Sequence, residues 1–269
     1  MKYFNLQFMP ERKHINLECF VNELKGGPRP AMLVIPGGGY HNLCSDREGA
    51  PIALAYYTRG FNAFVLSYSV DKQIDTPFRP LEEASRAIIY IRQHAAELDI
   101  DPNRVYAVGF SAGGHLAAAL GTMWDDEEIK AMLPDKGCLN KPNAVVLCYA
   151  VTNDLTEKQT NKSFINLYGG SYTESQAKRL SPTEYADASS APAFIFHTVD
   201  DEKVPVRSAL LMAEAYAAAN IRFELHIYPR ARHGAALANE TTWLQIPELN
   251  NPRMARWVSD SIDFLKELK

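Results

Sequence analysis

Val105-Tyr106-Ala107-Val108-Gly109-Phe110-Ser111-Ala112-Gly113-Gly114-His115-Leu116 is the stretch whose reading decides the fold. An apolar run ends at Gly109, and an alanine-rich segment of helical character, 115–123, begins just beyond Ser111. Between them stands the pattern G-x-S-x-G, which by itself turns up by chance in about one chain of this length in ten. Its setting carries the weight. A strand-to-helix turn forces the serine into a sharp, exposed backbone position, and small neighbours are needed where strand and helix pass close together. A serine there also has the Ala112 N–H and the positive end of a helix beside it, groups suited to a carbonyl that develops negative charge. The charge-free stretch 105–124 has about the length of a membrane span. Its glycines, Ser111 and His115 interrupt it, so a buried strand, turn and helix is the better reading.

Outward from this turn the chain alternates between strand-like and helix-like segments. Strands are expected over 3–8, 15–24, 32–35, 63–70, 105–109, 144–149, 193–197 and 222–228. Several, such as Met32-Leu33-Val34-Ile35, are continuous apolar runs, as in strands covered on both faces. Helical stripes recur at Leu81, Ala84, Ile88, Ile91, Ala95 and Leu98, and at Val206, Ala209, Leu210, Ala213, Tyr216 and Ala217. A last one runs through Met254, Trp257, Val258, Ile262, Leu265 and Leu268. All three are read as core-facing. Ser45 and Glu48 have the spacing of a capping box, in which hydroxyl and carboxylate accept free N–H groups at a helix start. The alternation argues for a mostly parallel sheet covered by helices, an α/β fold, in one domain over 1–269.

A serine nucleophile needs a base. Of seven histidines, His94 and His226 fall among polar positions of a helix and a strand, whereas His233 follows the last strand in a loop and precedes Gly234, leaving its ring room at the sheet's rim. His233 is therefore the candidate base. The carboxylate that orients it should follow a strand between Ser111 and His233, where Asp201 is favoured over its neighbour Asp200 and over Asp154. Pro36-Gly37-Gly38-Gly39-Tyr40 directly follows an expected strand, and its glycines leave N–H groups unobstructed. Gly38 and Gly39 with Ala112 are the expected oxyanion donors. Neither dinucleotide nor P-loop glycine spacing can be laid over that loop. Tyr40 and His115 lie beside the reacting elements and stay outside the catalytic set.

The composition is that of a globular protein, with 46% hydrophobic and 22% charged residues among 269 and a net charge of -4, which gives no support for a nucleic-acid or anionic-lipid partner. The four cysteines, Cys19, Cys44, Cys138 and Cys148, are scattered and are read as small buried apolar groups in a reducing compartment. Residues 1–11 lack the apolar run of a secretory signal, so a cytoplasmic location is expected. No metal and no other cofactor is called for, since H-E-x-x-H and clustered Cys/His ligands are missing. A small-molecule ester is the expected partner, and a homo-oligomer stays open.

Taken together, Pro36-Gly37-Gly38-Gly39-Tyr40, Gly109-Phe110-Ser111-Ala112-Gly113-Gly114-His115-Leu116, Asp201 ahead of Val204-Pro205, and Glu224 to Pro229 leading into His233-Gly234 resemble the α/β-hydrolase family. Within it they are similar to the small carboxylesterases grouped with acetyl-xylan and related carbohydrate esterases. The order Ser, Asp, His agrees. The resemblance implies an eight-stranded, mostly parallel sheet whose first strands are antiparallel, with helices on both faces. It also implies hydrolysis of short-acyl esters, acetylated sugars foremost. Pro36 stands where many relatives have histidine, which removes a side chain that supports the loop. Arg230 and Arg232 before His233 either favour an anionic or polyhydroxylated substrate or are plain solvated charges. Residues 156–185 have room for one or two short helices beside the site and are too few for a large lid. An amidase or formamidase using the same three residues, and a non-catalytic binding module on the same fold, are the competing readings.

Overall fold

The computed structural model describes residues 1–24, 26–134, 137–155 and 161–268. Eight strands form one sheet in the order β1-β2-β4-β3-β5-β6-β7-β8. They are β1 (Lys2–Leu6), β2 (Asn16–Val21), β3 (Arg29–Ile35), β4 (Asn62–Ser67), β5 (Ile100–Phe110), β6 (Val145–Cys148), β7 (Ala193–Thr198) and β8 (Phe223–Tyr228). The pairs β1–β2 and β2–β4 are antiparallel, and every pair from β4 to β8 is parallel. Each parallel pair needs a crossover, and the helices supply it.

Along β3 the side chains alternate between two apolar cores. Leu33 and Ile35 join one face with α3 (Arg79–Gln93), α4 (Ala112–Thr122) and α8 (Arg207–Ala218), through Ile88, Leu116 and Met212. Met32 and Val34 join the other with α2 (Ala50–Tyr57) and α9 (Trp257–Glu267), through Tyr56 and Trp257. Burial on both faces is why these strands read as unbroken apolar runs. Short helices complete the chain: α1 (Ser45–Glu48), α5 (Glu127–Met132), α6 (Lys162–Tyr168) and α7 (Glu174–Arg179). The last two occupy the segment expected at 156–185, of which 156–160 lie outside the described residues. Among the described residues no helix is long and apolar enough to cross a membrane.

Three expectations are corrected. The stripe on α8 is displaced: Leu210 is 46% exposed and Ala217 is exposed, while Met212 takes the buried position between Ala209 and Ala213. Cys19 and Cys148 are buried, but Cys44 is only partly so and Cys138 is exposed. Ser45 does not cap α1. Cys44 holds the cap position without a side-chain hydrogen bond, and the Glu48 carboxylate turns inward, where two donors from distant segments compete successfully for it.

Candidate active site

The six parallel strands from β3 to β8 point the same way, and the site lies at their carboxyl end, where open α/β sheets bind ligands. The turn from β5 to α4 places Ser111 at φ 53° and ψ -116°, a conformation costly for any residue but glycine. The surroundings hold it there. The Ser111 N–H donates to Cys148 O, and its own carbonyl accepts from His115 N and Val151 N. A Cβ on Gly113 would stand 2.2 Å from Ile35 O and 2.4 Å from Pro36 O, so nothing larger than glycine fits between α4 and the end of β3.

Ser111, His233 and Asp201 form one hydrogen-bonded line. Ser111 Oγ lies 2.8 Å from His233 Nε2, and His233 Nδ1 lies 2.8 Å from Asp201 Oδ2. Asp201 is fixed in turn by the N–H groups of Lys203 and Val204 on Oδ1, and His197 Nε2 lies 3.4 Å from Oδ2. Burial by itself would raise the Asp201 pKa, but the bonds from His197 and His233, the His233 charge and the Val204 N–H outweigh it and hold the carboxyl well below the usual range. Asp201 thus stays an anion able to fix the His233 tautomer. Asp200 is exposed, and Asp154 accepts from Tyr172 instead.

The loop after β3 faces this line. Gly38 has φ 131°, and a Cβ there would stand 1.9 Å from Asn42 O, so the sharp turn requires glycine. Its carbonyl accepts from His41 N and Asn42 N, while Asn166 on α6 donates to Gly39 O at 2.7 Å. Tyr68 donates to Pro36 O at 2.7 Å. Support that the Pro36 position cannot give as a side chain therefore arrives from Tyr68, Asn166 and Glu48. Gly37 N–H is already engaged by Glu48 Oε2 at 2.8 Å, which leaves Gly38 and Gly39 as the glycines that border the cavity.

Tyr40 and His115 form a buried relay. Leu180 O can only accept, so His115 Nε2, 2.6 Å away, carries the proton, and Nδ1 accepts from the Tyr40 hydroxyl at 2.6 Å. Burial pushes the His115 pKa down to about 4 against the pull of the Leu180 carbonyl, so the ring is neutral near pH 7.

A cavity of about 520 Å³ opens above Ser111, its walls including Arg47, Glu48, Asn153, Lys162, Glu202 and Lys203. Arg230 and Arg232 are exposed and do not line it, and Arg232 lies 3.6 Å from Glu202. The arginine at the cavity is Arg47, which donates to Gly234 O at 3.1 Å. Sequence reasoning missed both Arg47 and Glu48. Their position soon after a glycine loop was the available signal, and it was absorbed into the capping reading.

An eight-stranded, mostly parallel sheet with a serine at the β5–α4 turn and a histidine and carboxylate beyond β8 and β7 defines an α/β hydrolase, and solved α/β hydrolases superpose on it along its whole length. The family described as BD-FAE matches residues 17–216, and the chain belongs to that family. It is 37% identical over 216 residues to endo-1,4-beta-xylanase B of Butyrivibrio fibrisolvens, covering 79% of this chain and 33% of that protein. It is 28% identical over 272 residues to the acetylxylan esterase of Xylanibacter ruminicola, covering 96% of this chain and 50% of that one. The chain thus spans a third to a half of the length of these curated relatives. Among solved structures, the acetyl ester-xyloside bifunctional hydrolase from Caldicellulosiruptor lactoaceticus superposes with a TM-score of 0.79 at 32% identity, covering 94% of this chain and 88% of that one.

Proposed function

We propose that this protein hydrolyses short-acyl carboxylic esters, acetyl esters of sugars foremost, through a covalent acyl-enzyme on Ser111. The observation that carries the reading is the unbroken line from Ser111 Oγ through His233 to Asp201, opening onto a cavity bordered by Gly38 and Gly39. His233 Nε2 takes the hydroxyl proton as Ser111 Oγ bonds to the acyl carbon, and Asp201 stabilises the imidazolium. The N–H groups of Gly38, Gly39 and Ala112 receive the oxyanion, each donor contributing about a hundred- to thousandfold in rate. The tetrahedral intermediate expels the alcohol, protonated by His233. Water, deprotonated by the same nitrogen, then attacks the acyl-serine and releases the carboxylic acid. The cavity walls carry charged and amide groups, Arg47, Asn153, Lys162, Glu202 and Lys203 among them, chemistry suited to hydroxyl-rich alcohols. The family and its acetylxylan-esterase relative support the same substrate class.

Hydrolysis of p-nitrophenyl acetate, butyrate and octanoate, with an acetylated xylo-oligosaccharide and an N-formyl amide alongside, tests the reading. Turnover is expected to fall with acyl length and to include the sugar acetate. Preference for the amide would replace the ester assignment, and inertness toward every substrate would overturn it.

A further inference from the structure

Glu48 is a buried carboxylate, 2% exposed, on the inner wall of the cavity, and the mechanism above does not use it. Its two oxygens go to different halves of the site. Oε2 accepts from Gly37 N–H at 2.8 Å, next to the expected oxyanion donors, and Oε1 accepts from the Tyr149 hydroxyl at 2.8 Å. That hydroxyl in turn accepts from Ala236 N at 3.0 Å, in the loop that carries His233. The Tyr149 ring meets the His233 imidazole edge to face, centroids 5.1 Å apart. Every partner is buried and every donor is committed: a backbone N–H can only donate, and the tyrosine oxygen already accepts from Ala236, so its proton points at Glu48.

We propose that Glu48 is a positioning residue whose carboxylate, through Gly37 on one side and Tyr149 on the other, sets the oxyanion loop and the base loop in one geometry. The proposal rests on the esterase reading of the site. A carboxylate beside a centre that develops negative charge is electrostatically unfavourable for the reaction, so packing alone does not account for its presence. What it supplies is acceptor capacity at a point where two loops without regular structure must meet. Neighbouring Arg47 reinforces the link by donating to Gly234 O, and Cys44 N–H closes the turn by donating to Gly37 O at 3.0 Å. Misplacement of reacting groups by about an ångström costs about a hundredfold in rate, so the expected signature is in kcat.

The test measures kcat and KM on p-nitrophenyl acetate, with thermal unfolding, for wild type and for E48A, E48Q and Y149F. E48A is expected to lower kcat about a hundredfold and E48Q and Y149F about tenfold each, with KM within about twofold. The amide of E48Q keeps one acceptor oxygen, so it recovers part of the loss seen in E48A. Y149F removes only the hydroxyl and keeps the ring packed on Phe110, Phe196 and His233, which leaves the proposal testable even where E48A does not fold. If E48Q and Y149F keep wild-type kcat while the wild type hydrolyses esters, the positioning role is overturned and the esterase reading stands. A wild type inert toward all esters takes down both.

Discussion

Two turns leave neighbouring parallel strands and meet over the same cavity, yet they differ in how much side-chain support they need. The turn from β5 into α4 is closed by main chain: Ser111 N–H on Cys148 O, the Ser111 carbonyl under His115 N and Val151 N, and glycines where backbone passes backbone. The loop after β3 has main-chain bonds of its own, from His41 N and Asn42 N to Gly38 O and from Cys44 N to Gly37 O. It also leans on side chains from other segments, with Tyr68 on Pro36, Glu48 on Gly37, Asn166 on Gly39 and the His115 ring on Tyr40. A turn whose geometry is local writes itself into a short motif. One that also leans on side chains from other segments shows its glycines in the motif but not its supports.

Either turn can be broken, as can the Asp201–His233 line that both turns face, and the largest effect is expected in that line. In D201N the Lys203 and Val204 N–H groups retain the amide oxygen, so the NH₂ faces His233 Nδ1. That tautomer puts the imidazole proton toward Ser111, and kcat/KM on p-nitrophenyl acetate should fall about 10⁴-fold with little change in thermal unfolding. At the local turn, G113A drives a methyl into Ile35 O and Pro36 O and should destabilise by about 3 kcal/mol or more, read as a lower denaturant midpoint together with lost activity.

His115 serves both turns, and its effect is read against pH. Its pKa is lowered from the ordinary histidine value to about 4, so between about pH 6.5 and 4 the unfolded chain binds more protons than the folded one. Stability from this group is present in full above about pH 6.5 and is lost as pH falls through about 4, a contribution of at most about 3 kcal/mol. H115Q, which cannot titrate and can still accept from Tyr40 and donate to Leu180, should flatten the pH dependence of the denaturant midpoint across that window. The smallest effect belongs to the loop after β3 taken one support at a time. N166L removes the bond to Gly39 O and should lower kcat about tenfold with unfolding nearly unchanged.

How far the sequence could be read follows the same division. That Ser111, His233 and Asp201, rather than Asp200, would meet was legible because each sits just past an apolar strand with the right local residues around it, and the structure brings the three side chains together. The sheet was legible because strands buried on both faces leave unbroken apolar runs, though β5 begins at Ile100, earlier than its apolar run, because Arg29 pairs with Ile100 ahead of it. Glu48 was misread because a capping box is a local rule, and a glycine N–H and a tyrosine hydroxyl from across the chain satisfied the carboxylate better. Leu210 was misread because helical spacing gives a stripe without saying which edge of it the sheet covers.

Covalent trapping tests most directly whether Ser111 is the nucleophile. Treatment with a fluorophosphonate, digestion and mass spectrometry of the peptides should find one adduct, on the peptide that carries Ser111, and none in S111A. An adduct on a different residue, or an enzyme that hydrolyses esters at the wild-type rate after S111A, would contradict the account.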